Sequence, residues 1–114
     1  MTPQDREEHR LAAMAAGIDA DYVDGGFDRF YRVNDKVVRI RDWRPKTDKA
    51  DSFDLMVACG ISVDSHIDGY AVFSSWREGV EDINVQPEDA FTESYMKAVF
   101  DMAVEIGRDK EGKE

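Results

Sequence analysis

Pro45 divides this chain. A proline donates nothing to a strand ladder and pushes the residue before it, Arg44, into an extended conformation. Just beyond it, Thr47 and Asp48 are side chains that accept the free amides of a helix start. The stretch Trp43-Arg44-Pro45-Lys46-Thr47-Asp48 therefore ends a strand and begins a helix.

The patterns on either side agree with that division. Residues 4–16 predict a first helix, with Leu11, Ala15 and Ile18 on one stripe and Gly17 as its stop. Residues 19–26 are acidic, end in Gly25-Gly26, and predict a loop. Strands are expected over 27–33 and 36–42 around Asn34-Asp35. A second helix follows over about 49–59 and is closed by Gly60. A second hairpin spans 61–66 and 70–76 with Asp68-Gly69 in its turn, and a short strand follows at 82–85. Pro87 then opens the longest helix, whose stripe is Phe91, Tyr95, Ala98, Met102 and Ile106 and whose stop is Gly107.

The order α-β-β-α-β-β-(β)-α predicts an α+β fold, a mainly antiparallel sheet of four to five strands packed with three helices. A three-layer α/β/α sandwich is one form of it. The 114 residues fit one domain over 1–108, with 109–114 as a frayed charged tail. The single cysteine, Cys59, excludes an internal disulfide and sits in an apolar run, which predicts a buried thiol. No apolar run approaches about 18 residues, so neither a membrane span nor a signal peptide is read, and a reducing cytoplasm is expected.

Charge is unevenly distributed. The net charge is -10. Residues 29–49 nevertheless carry eight basic against three acidic residues, while 50–114 carry fifteen acidic against five basic. An acidic field of this size opposes duplex nucleic acid and favours basic protein partners. Within the basic block, Arg39 and Arg41 alternate along one strand face, next to Trp43 and Arg44. These four form a candidate site for a small anionic ligand, with the indole as a stacking platform. The structural alternative makes Trp43 the packing of a junction and the arginines partners of acidic neighbours. Glu78, Glu81, Asp82, Glu88 and Asp89 form a candidate surface for a basic partner protein; the alternative is a solvated loop and a dipole-matched helix start.

Asp64, His66 and Asp68 alternate as metal ligands would, but Asp68-Gly69 is also an ordinary turn, and no metal or other cofactor is expected. His9 and His66 are far apart in sequence. Ser-His-Asp spacing, a glycine-rich phosphate loop and Cys-x-x-Cys are all missing. No catalytic residue is therefore assigned, and the chain is expected not to be an enzyme.

Three stretches carry a family resemblance. They are Trp43, Pro45, Thr47, Asp48, Asp51, Leu55, Val57 and Gly60; then Leu11-Ala12-Ala13 with Ala16-Gly17-Ile18; and Ala98 through Glu105-Ile106-Gly107-Arg108. In these the chain resembles small phage and prophage proteins related to the phage α/β/α ("ABA") sandwich domain. Ser52-Phe53 and Lys49 depart from that pattern. The resemblance implies a three-layer fold, a phage origin and no established catalytic residues. The expected function is binding: interference with a host protein, such as one of antiviral defence, in the host cytoplasm. The alternative is sequestration of a nucleotide or other anion at Trp43 and its arginines. A homodimer through a sheet edge or an apolar helix patch is left open.

Overall fold

The computed structural model describes residues 1–113. Among them are three α-helices and two antiparallel three-stranded sheets.

Helix α1 spans Pro3–Ala16. Thr2 caps it, its hydroxyl accepting the Asp5 amide at 3.1 Å. Gly17, at φ 68°, ends it, and the amides of Gly17 and Ile18 close back onto Met14 and Ala13. Strands β1 (Asp19–Val23), β2 (Gly26–Val33) and β3 (Lys36–Ile40) form the first sheet in the order β1-β2-β3. Both of its turns have two central residues of positive φ, Asp24-Gly25 and Asn34-Asp35, which matches the twist of the paired strands. Strand β1 lies where an acidic loop was expected. Asp19 and Asp21 give the segment a loop's composition, yet Ala20 and Tyr22 alternate with them and are half-buried.

Helix α2 spans Lys49–Cys59. Its cap is Asp48, which accepts the Asp51 amide at 2.9 Å, while Asp51 reaches back to the Arg44 amide at 2.8 Å. Gly60, at φ 67°, stops it. Strands β4 (Ile61–Ser65), β5 (Ala71–Ser75) and β6 (Ile83–Val85) form the second sheet in the order β4-β5-β6. The six strands therefore make two sheets, not the single sheet of four or five strands that the sequence suggests.

Pro87 opens only a single 3-10 turn, Pro87–Asp89. Helix α3 starts after it and runs Thr92–Gly112. It passes straight through Gly107, the expected stop. The reason is tertiary: α3 packs chiefly on α1, and a Cβ on Gly107 would lie 2.1 Å from the Leu11 carbonyl oxygen. Gly107 is thus a point of contact between two helix backbones. The expected tail from residue 109 is helical as far as Gly112 and is tied down, with Lys110 Nζ donating to the Ala15 carbonyl at 3.1 Å and Arg77 paired to Asp109. Glu114 lies outside the described residues. From Ala98 to Gly107 all but Asp101 and Glu105 are buried, so α3 is the central element of the core.

Candidate functional site

The strand-to-helix junction is built inwards. Asp42 has φ 58°, which breaks the alternation that would have set Trp43 beside Arg39 and Arg41. Trp43 instead turns into the core at 2% exposure, its amide donating to the Phe27 carbonyl at 2.7 Å, and Pro45 is fully buried behind it. This corrects the expectation of an exposed stacking platform. The indole Nε1–H of Trp43 is buried and has no acceptor among the described residues.

The same core holds His9. Its ring stacks on Phe27 with centroids 5.2 Å apart, tilts against Phe100 at 4.8 Å and meets the edge of Trp43 at 6.1 Å. Nδ1 lies 2.7 Å from the Asp5 carbonyl and so carries the proton, leaving Nε2 as an acceptor. Loss of water around the ring lowers the His9 pKa, and the nearby Lys46 ammonium lowers it further against the opposing Asp5 carbonyl. The sign of the pH effect follows. Below about pH 6.5, the ordinary imidazole value, the unfolded chain takes up a proton that the folded chain resists, so stability falls as pH falls. Urea melts at pH 7.5 and pH 5 are expected to show that loss, and His9→Gln is expected to flatten it.

The four residues proposed to grip an anion are not gathered by the fold. Arg39 is held by the buried Asp28 carboxylate, which also accepts the Asp42 amide at 3.2 Å. Burial alone would raise the Asp28 pKa, but these two hydrogen bonds together with the charges of Arg39 and Arg41 outweigh it and lower it. Arg44 sits 3.7 Å from Asp42, Arg29 is 3.5 Å from Asp54, and Lys46 is 3.8 Å from Asp5. Much of the basic block is therefore spent on neighbouring carboxylates. Trp43 and Arg44 do share one open cleft of about 530 Å³, with His9, Lys46, Thr47 and the Asp24-Gly25 turn.

A larger cleft, about 620 Å³, lies between α1, the loop into β6 and α3. Glu81 and Asp82 line it. So do three acids that sequence reasoning missed: Glu8 from α1, and Asp101 and Glu105 from α3. Asp101 is paired to Lys97 and Glu105 to Arg108, whereas Glu8, Glu81 and Asp82 have no ion pair among the described residues. The missed residues of α3 had a signal, since 97, 101, 105 and 108 recur at the spacing of one helical face. Asp89 lines an adjoining cleft that shares Ile83, Lys97 and Asp101. Glu78 and Glu88 are exposed and line neither cleft.

Asp64 and Asp68 are exposed, and His66 stacks on Tyr70 at 4.0 Å; among the described residues no group of three potential ligands is arranged to hold a metal ion. Cys59 is buried, and burial pushes its thiol up to about 11, so it stays protonated at neutral pH. No helix among the described residues is long and apolar enough to cross a membrane. Comparison with family models, with curated proteins and with solved structures finds no match.

Proposed function

We propose that this protein works by binding rather than catalysis, and that the cleft of Glu8, Glu81 and Asp82 receives a basic surface of another protein. One observation carries this. Three carboxylates from two separated parts of the chain converge on a cleft whose cations, Lys97 and Arg108, are already paired within α3. Their charge is left for a partner. The net charge of -10 adds a long-range field that draws a basic partner in and raises its association rate. The resemblance to phage α/β/α proteins supports the narrower form, in which the partner is a host defence protein and the place of action is the host cytoplasm.

Affinity capture from bacterial lysate tests it, comparing the wild type with Glu81→Lys/Asp82→Lys. The wild type is expected to retain a basic protein that added salt releases, and the double reversal to weaken that capture by about tenfold or more. The same proteins captured by both would overturn the proposal. Circular dichroism of both establishes that each is folded.

The 530 Å³ cleft supports a second reading, sequestration of a small anion. The ion pairs of Arg44 and Lys46 there are long and loose, and the buried Trp43 Nε1–H lacks an acceptor. In a thermal-shift screen with nucleotides, a stabilisation abolished by Lys46→Ala and Arg44→Ala would favour this reading over the first.

A further inference from the structure

The second sheet has two edges. The β6 edge has three residues and borders the acidic clefts. The β4 edge has five, and among the described residues β4 pairs only with β5. Its outward backbone donors and acceptors therefore have no strand partner, and Ser62, Val63, Asp64 and Ser65 are all exposed. The sequence Ile61-Ser62-Val63-Asp64-Ser65 contains no proline and no lysine, and Asp64 is its one charged residue.

The side chains beside that edge are equally unpartnered. Val63 stands opposite Phe73 in the β4–β5 register, so the two share a face. Phe73 is buried against Tyr95 of α3, with ring centroids 5.7 Å apart, but Val63 is 45% exposed. It stands at an open apolar groove of about 280 Å³, lined also by Phe53, Met56 and Val99. Phe53 on the α2 wall is 60% exposed.

We propose that β4 pairs antiparallel with β4 of a second copy about a two-fold axis at Val63, extending the three-stranded sheet to six strands. The strand is self-complementary in one register. With the axis at Val63 all five residues overlap, Ser62 faces the partner's Asp64, and Ile61 faces its Ser65. Each Asp64 carboxylate then meets a hydroxyl that can donate to it. An axis at Asp64 would set two carboxylates opposite each other, and a shift by one residue would set Val63 against Asp64. Both Val63 side chains lie side by side at the groove mouths, removing their apolar surface from water. The two edges of the first sheet are also five residues long, but β1 carries Asp19 and Asp21 and β3 carries Lys36 and Arg39, and two like charges on each strand disfavour self-pairing. Because each chain carries a net charge of -10, added salt favours this dimer. The same salt weakens binding in the acidic cleft, which stays open at the opposite edge, so the two proposals fail independently.

Sedimentation equilibrium tests the proposal over about 10 μM to 1 mM, a range bracketing weak self-association. The mass is expected to rise from 13.0 kDa towards twice that value, and to rise earlier in high salt. Val63→Lys sets two ammonium groups at the axis and weakens association by about tenfold or more. Ser62 is exposed on the other sheet face, where substitution leaves the monomer core alone. Ser62→Asp opposes two carboxylate pairs and weakens the dimer about fivefold, while Ser62→Lys creates two opposite-charge pairs and tightens it about fivefold. Hydrogen exchange at β4 amides should slow as wild-type concentration rises. A chain of 13.0 kDa at the highest concentration overturns the proposal. So does a dimer whose affinity ignores both Ser62 variants or whose β4 amides gain no protection.

Discussion

Gly107→Ala is expected to destabilise the fold by about 3 kcal/mol and lower the melting temperature by about 10 °C or more. Helix propensity alone gives the opposite sign, since alanine in a helix interior is about 1 kcal/mol better than glycine. Sterics decide against it. The added Cβ would meet the Leu11 carbonyl oxygen at 2.1 Å and its carbon at 2.7 Å. These are backbone atoms of a helix, so no rotamer change relieves the clash. Either α1 or α3 must move, and the move disturbs the interface between them, which includes the buried Leu11, Ala12 and Ala15 of α1. Gly112→Ala is the control within the same helix. A Cβ there meets nothing within 4 Å, so propensity acts alone and stability holds or rises slightly. Thermal melts of the two variants should therefore move in opposite directions or, at the least, differ by most of the Gly107 effect.

Trp43→Ala is expected to cost about 3–5 kcal/mol, the range for emptying a buried aromatic site. Trp43 is 2% exposed and meets His9 edge-on beside Phe27 and Phe100, so the void would open among rings that cannot collapse together without leaving their rotamers. Trp43→Phe should cost much less. It keeps part of the ring volume, and it removes a buried N–H that lacks an acceptor, which offsets about 1–3 kcal/mol of desolvation. Urea titration followed by circular dichroism measures both. A loss for Trp43→Phe as large as that for Trp43→Ala would mean that the indole nitrogen is hydrogen-bonded in solution and that losing this bond, not ring volume, sets the cost.

What the sequence revealed was local chemistry. Asp48, Gly17 and Gly60 each impose a backbone geometry on their immediate neighbours, so both capped helices were legible, whereas β3 ends at Ile40, ahead of the left-handed Asp42 and not at Pro45. Where neighbours in space decided the outcome, the same residue types misled. Gly107 reads as a stop because glycine usually stops helices; it is interior because Leu11 lies against it. Asp19 and Asp21 read as loop, and β2 makes a strand of them. Trp43 reads as an outward residue by alternation, and a single left-handed residue, Asp42, reverses it. Pairing of the basic block with carboxylates was legible as the structural alternative, but its partners Asp28, Asp5 and Asp54, which hold Arg39, Lys46 and Arg29, come from elsewhere in the chain and could not be named. At the acidic cleft the β5–β6 loop was visible as a charge run, but Glu8 joins it only through the docking of α1.

That docking also fixes the order in which the protein can assemble during synthesis. Helix α1 leaves the ribosome first among the helices, yet its main partner is α3, the last. The hairpin turns join neighbouring strands and can close early; the Leu11–Gly107 contact spans almost the entire described chain. Until α3 is made, α1 lacks its main covering helix, and the nascent chain carries that exposed surface while the residues between α1 and α3 are synthesised.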